Sequence, residues 1–187
     1  IPTAIRLGRL LEEFRPFWYE TTVMSTDIRA PNPVARAIRI PVASGERFTT
    51  VRQIAELVEE RVVSIVQPET LYMGGVNGVL DACATAGAFG AWAAPHNAQS
   101  PFTTGVNTHI GIAVPNVLIQ ECFDDFHVSW AGEVLSGFPK VVDGYLEPSE
   151  KPGIGVELNE KEAARHPYSE KNFLRLFEAG WERRRMS

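Results

Sequence analysis

Four carboxylates and one imidazole recur along this 187-residue chain at intervals of 23 to 27 residues, each just past a short apolar run. Glu20 follows Phe17-Trp18-Tyr19, and Glu46 follows Pro41-Val42-Ala43-Ser44-Gly45. Glu69 follows Ile65-Val66-Gln67-Pro68, His96 follows Trp92-Ala93-Ala94-Pro95, and Glu121 follows Val117-Leu118-Ile119-Gln120. Carboxylates at the ends of strands about 4.8 Å apart can converge on one cation. Glu20 and Glu46 are the candidates, and hard oxygen donors in small number suit Mg²⁺, which keeps room for water and substrate oxygens. Glu69 beside His96 would fix the imidazole tautomer and favour the imidazolium, a dyad able to take or return a proton near neutral pH. An isolated Glu or His at a strand end is ordinarily a solvated or structural group. Five in phase point to a site.

The interval itself is the length of one strand, one helix and two loops. Successive βα units, each with a reactive group at the strand's carboxyl end, are what a (β/α)-barrel active site requires. Apolar spacing predicts helices over residues 3–14, 32–36, 50–58, 76–89 and 101–113, the third with a capping box at Thr50 and Gln53. Strands are expected at 17–19, 40–43, 62–66, 91–94 and 117–120. Short strand–helix alternation implies a parallel sheet with right-handed crossovers. After residue 122 the rhythm fails into a Pro- and Gly-rich tail, closed by a helix over residues 169–184 that ends in the solvated Arg183-Arg184-Arg185.

Other side chains are less specific. His109 reads as structural on a buried helix and His166 as a surface group. His127, among Asp124, Asp125 and Trp130, divides evenly between a substrate-facing and a structural role. Arg47 has two readings, pairing with an acidic substrate or neutralising Glu46, and Asn97 lies in the polar loop after His96. The chain contains no GxSxG elbow, HExxH, P-loop or dinucleotide fingerprint.

Bulk properties narrow the class. A net charge of −5 and a pI near 5.4 argue against nucleic acid or an anionic membrane as partner. No apolar run approaches the roughly 18 residues of a membrane span, and two cysteines without metal spacing make no disulfide framework. A reducing cytoplasm is the expected setting. A complete barrel has eight strands in about 250 residues. About five βα steps, after a start at Ile1, are therefore expected to be the C-terminal part of something larger.

The segments FWYETTV, IPVASGERF, IVQPETLYMGG, APHNAQSP, VLIQE and GYLEPSEKPGIGVELNEKEAARHPY, in this order over residues 4–168, carry a resemblance. They resemble the C-terminal barrel portion of the enolase superfamily, in its mandelate racemase/muconate lactonizing enzyme group, and are most like its galactonate- and mannonate-type sugar-acid dehydratases. The resemblance implies an α/β fold: part of a TIM-type barrel over residues 1–122, an irregular tail over 123–187, with the N-terminal cap and first strands absent. It implies Glu20 and Glu46 as the second and third Mg²⁺ ligands, His96 as the catalytic histidine with Glu69 as its partner, and Glu121 as a substrate-contacting acid. Arg47 and Asn97 are further candidates for substrate contact.

The implied chemistry is abstraction of the proton α to a carboxylate, a metal-stabilised enediolate, and loss of a β-hydroxyl from an acidic sugar. Racemase, epimerase or cycloisomerase chemistry is the alternative, as is a non-catalytic remnant. The complete protein is expected to be a homo-oligomer. The family pattern differs here in three respects: Thr21-Thr22 follow Glu20, Glu69 stands where Asp is usual, and the first metal ligand and the bases of earlier strands have no counterpart. Two carboxylates alone should hold Mg²⁺ weakly, so the chain by itself is expected to be inactive.

Overall fold

The computed structural model describes residues 1–24, 27–173 and 175–180. They form two compact units: Ile1–His96 with Ile110–Gln120, and Asn97–His109 with Glu121–Ser187.

In the first unit, helix α1 (Pro2–Leu11) tightens into a 3-10 turn over Glu12–Phe14, which Arg15 leaves in the left-handed conformation before Pro16. Glu12 accepts hydrogen bonds from the Arg39 backbone N–H at 2.8 Å and from its Nε at 2.9 Å. Those contacts, the backbone one foremost, hold its carboxyl below the usual range. Strand and helix then alternate: β1 (Tyr19–Glu20), α2 (Pro31–Ala37), β2 (Val42–Ser44), α3 (Val51–Val58), β3 (Ile65–Val66), α4 (Val76–Ala88), β4 (Trp92–Ala93) and α5 (Pro101–Ala113). The unit boundary falls inside α5. The strands pair in the order β1-β2-β3-β4, all parallel, with Glu20 opposite Ala43 and Ser44 opposite Val66.

Local chemistry explains why these segments are helices. Thr50 accepts from the Gln53 backbone while Gln53 Oε1 accepts from the Thr50 backbone, the expected capping box at the start of α3. Along α4, Val79, Ala82, Cys83 and Ala86 recur at helical spacing and are fully buried, where α4 packs on α3. Inside the sheet, Ala43, Ile65 and Ala94 form a small core on which Trp18 lies.

The strands are shorter than the apolar runs suggested. Phe17 is exposed and pairing begins at Tyr19, because the ladder bonds run from Tyr19 N to Pro41 O and from Thr21 N to Ala43 O. The strand expected at 117–120 reduces to one parallel bridge between Ala93 and Val117. Leu118 N still reaches Ala93 O, but Leu118 and Ile119 are exposed.

The second unit is more ordered than its Pro and Gly content implied. Helix α6 (Ala131–Val134) runs directly into β5 (Leu135–Ser136), which pairs antiparallel with β6 (Glu157–Leu158). Asn159 then caps α7 (Glu160–Ala163) by accepting from Glu162 N. The helix expected over 169–184 is corrected: among the described residues the segment holds only a 3-10 turn, Glu170–Asn172. Leu174 and the Arg183-Arg184-Arg185 triplet lie outside the described residues. Among the described residues no helix is long and apolar enough to cross a membrane.

Candidate active site

Because the four strands are parallel, everything just past their last residues lies at one end of the sheet. Glu20 closes β1, Glu46 lies two residues beyond β2, and Glu69 and His96 each lie three beyond β3 and β4. A further bridge pairs Glu69 with His96 in parallel register, and His96 N donates to Pro68 O at 3.2 Å. The backbone thus brings these two side chains to the same level.

The side chains meet. His96 Nδ1 is 2.7 Å from Glu69 Oε2, and its Nε2 is 3.9 Å from Glu46 Oε2. Glu69 is fully buried, and its other oxygen accepts the Leu71 N–H at 3.2 Å. An ionised Glu69 could only accept here, so a neutral His96 would hold its proton on Nδ1 and present Nε2 as the acceptor. Thr21, in the left-handed conformation at φ 41°, donates its hydroxyl to Glu46 Oε2 at 3.4 Å. Glu20 Oε2 accepts from Gln67 Nε2 at 2.7 Å and from Trp18 Nε1 at 2.9 Å. Gly45, at φ 129°, lets the chain turn there: a Cβ would stand 3.2 Å from Gln67 N, which donates to Ser44 O.

Arg47 is exposed, and its guanidinium lies on Met24 Sδ at 3.5 Å instead of on Glu46. A cleft lined by Thr21, Met24, Asp27, Glu46, Arg47 and Phe48 opens there.

The remaining candidates fall in the second unit. Glu121 Oε2 accepts the Asn97 N–H at 2.7 Å, and Asn97 Nδ2 donates to Thr104 Oγ1 at 2.7 Å. Thr104 donates onward to Asp124 Oδ1, which also lies 3.3 Å from His127 Nε2. Burial raises the Cys122 thiol in the same segment. His109 is largely enclosed, its Nε2 without a partner among the described residues.

His166, read as a surface group, is partly exposed and is engaged by its neighbours. Its ring stacks on Trp130 at 4.1 Å and 8°, and its Nε2 lies 3.1 Å from Glu162. With Glu133 the two make a group of possible ligand atoms within 4.8 Å of one another, although Glu162 is also paired with Arg165. The i, i+4 spacing of Glu162 and His166 was the available signal. Trp18 and Gln67 were also missed. Their signal was position: Trp18 is two residues before Glu20, and Gln67 immediately precedes Pro68-Glu69 at a strand end.

The enolase C-terminal domain-like family matches residues 1–162. A D-galactonate dehydratase family member of Streptomyces bingchenggensis is 32% identical over 167 residues, covering 88% of this chain and 40% of its own length. A D-gluconate/D-galactonate dehydratase of Picrophilus torridus is 30% identical over 158 residues, covering 84% and 40%. Among solved structures, a mandelate racemase/muconate lactonizing enzyme from Jannaschia sp. CCS1 matches with a TM-score of 0.80 at 31% identity, over 90% of this chain and 43% of that one. An enolase from Pantoea ananatis with bound D-gluconate and Mg matches with a TM-score of 0.80 at 26% identity, over 91% and 41%. The chain spans about two fifths of the length of the relatives it matches. The parallel βα succession is the C-terminal part of a TIM-type barrel, and the chain belongs to the enolase C-terminal domain-like family.

Proposed function

We propose that this chain provides the cation-holding and proton-handling strands of a Mg²⁺-dependent sugar-acid dehydratase acting on an aldonate. The single observation that carries the reading is His96 set between buried Glu69 at 2.7 Å and Glu46 at 3.9 Å, at the carboxyl end of a parallel sheet. Relatives named as galactonate, gluconate and mannonate dehydratases support the substrate class, as does the Pantoea neighbour with D-gluconate and Mg.

The donor set fits a hard divalent cation, since Glu20 and Glu46 offer only carboxylate oxygens. A bound Mg²⁺ would supply positive charge where negative charge develops on the substrate carboxylate. The chain's own residues do the rest. Glu69 fixes His96 with its proton on Nδ1, so Nε2 accepts the proton from the carbon α to the substrate carboxylate. The same imidazolium then returns that proton to the departing β-hydroxyl, which leaves as water, and the resulting enol tautomerises to a 2-keto-3-deoxy acid. Arg47, in the cleft beside Glu46, is proposed to meet the acidic substrate. In the second unit, Glu121 and Asn97, bonded to each other, are proposed as further candidates for substrate contact. Residues 1–122 are proposed as the barrel portion and 123–187 as the tail.

The test joins this chain to the segment that precedes the matched region in the Streptomyces bingchenggensis relative. Aldonates are supplied with Mg²⁺, and 2-keto-3-deoxy acid is measured as its semicarbazone. Product that disappears on chelation supports the proposal. A folded chimera that binds Mg²⁺ but releases no water from any aldonate, while exchanging the α proton with solvent, would replace it with a racemase reading.

A further inference from the structure

Glu20 is the most exposed of the candidate cation ligands, yet its carboxylate is not left to rotate. Oxygen Oε2 takes two hydrogen bonds, from Gln67 Nε2 at 2.7 Å and Trp18 Nε1 at 2.9 Å. Among the described residues, Oε1 takes none. Neither donor is loose. Trp18 lies on the Ala43, Ile65 and Ala94 core, and Gln67 is 3% exposed. The amide orientation is fixed by its neighbour, because Oε1 of Gln67 turned toward Glu20 would set one acceptor against another. That orientation leaves Gln67 Oε1 buried without a partner among the described residues.

The geometry points to Trp18 and Gln67 as positioning residues that confine Glu20 to one-oxygen coordination of its cation, through Oε1. The inference rests on the reading of Glu20 as a cation ligand and specifies how it binds. Two-oxygen coordination would turn Oε2 toward the ion and break two hydrogen bonds to a charged acceptor, roughly twice as strong as neutral ones. Mg²⁺ requires a near-octahedral shell and keeps several waters, whereas Ca²⁺ accepts higher coordination with two-oxygen carboxylates. Locking Oε2 therefore favours the smaller ion and keeps coordination positions available to water and substrate oxygens.

The test uses the 187-residue chain with Mn²⁺ as probe, its free ion followed by electron paramagnetic resonance, and with Mg²⁺ and Ca²⁺ as competitors. Gln67→Met keeps the volume and removes the donor; Trp18→Phe keeps an apolar ring without the N–H. Loss of such an outer partner typically weakens metal binding by about 10- to 100-fold. Both variants are expected to lose Mn²⁺ and Mg²⁺ affinity in that range, with Ca²⁺ losing less, so that the Mg²⁺/Ca²⁺ preference falls. A merely structural role would leave that preference unchanged. Thermal unfolding confirms that each variant is folded, and either one alone suffices. If Glu20→Gln weakens Mn²⁺ binding but the folded variant retains wild-type affinity and preference, the positioning role is wrong. If Glu20→Gln leaves the Mn²⁺ affinity of the wild-type chain unchanged, the ligand reading itself fails.

Discussion

At the scale of single residues, the extra methylene of Glu69 decides how the dyad is built. An Asp would reach His96 from closer to the backbone. Glu69 instead turns in a fully buried position, with Oε1 held by the Leu71 N–H and Oε2 2.7 Å from Nδ1. The carboxylate is thereby anchored at both oxygens. This division of labour predicts opposite effects of two substitutions in the chimera described above. His96→Asn should lower aldonate dehydration by about 100- to 10,000-fold, the usual contribution of a positioned acid/base, while Mn²⁺ affinity stays unchanged. Glu46→Gln should weaken Mn²⁺ first. A parallel loss of affinity in His96→Asn would remove the assigned roles. The reactive residue types were legible in the sequence because each follows an apolar run. The roles of Trp18 and Gln67 were not, because a hydrogen bond across the sheet, from residue 67 to residue 20, depends on register. A second residue-scale prediction concerns Cys83, whose thiol burial pushes up to about 12 from an ordinary 9.0. The folded chain keeps a proton that the unfolded chain sheds. This contribution is therefore fully present below about pH 9 and is lost as pH rises toward about 12. Urea midpoints at roughly pH 8 and roughly pH 10.5 should differ more in wild type than in Cys83→Ala. Equal differences would place the thiol in contact with water.

At the scale of elements, the helices were readable and the strands only approximately so. A helix announces itself through caps and a repeating buried stripe, as with Thr50 and Gln53 or Val79, Ala82, Cys83 and Ala86. A strand of two or three residues ends where its ladder bonds end, which the apolar run does not record. The described part of the helix expected over 169–184 falls short for the converse reason. Among the described residues Tyr168, Phe173 and Phe177 are exposed, so their apolar side chains lend no burial to a helix whose isolated propensity is marginal. Packing between elements also governs how the site is held. Gly78 sits in the first turn of α4, where a Cβ would collide with the Met73 carbonyl. Met73 N and Tyr72 N both bond Glu69 O, so the turn behind the dyad leans directly on Gly78. Gly78→Ala is expected to destabilise the fold by about 1–3 kcal/mol through overpacking. Through the displaced turn it should also shift the His96 ring resonances in NMR. A Tm loss without any change at His96 would mean that the turn yields without moving Glu69.

For the whole molecule, the sequence conveyed the parallel βα order but not which surfaces would be left open. Among the described residues β1 has β2 as its one strand neighbour, so Tyr19 and Glu20 form an edge. Immediately before that edge, Leu7, Leu10, Phe14 and Phe17 are exposed, Phe14 by 72%. An open parallel edge offers unpaired backbone groups to another chain, and an adjoining apolar stripe adds a driving force for association. The charge of Glu20 on the edge is a partial guard, because its carboxylate is engaged by Trp18 and Gln67 on the same sheet. The expected outcome is concentration-dependent self-association of the 187-residue chain, measured by light scattering behind size exclusion, together with binding of an apolar dye. Leu10→Glu combined with Phe14→Glu should shift the population toward monomer and lower dye binding. It should leave Mn²⁺ affinity intact, since neither residue touches the side chains around His96. A wild-type chain that stays monomeric and dye-free at high concentration would show that the edge is guarded well enough alone. Association that survives the double substitution would place the contact elsewhere on the surface.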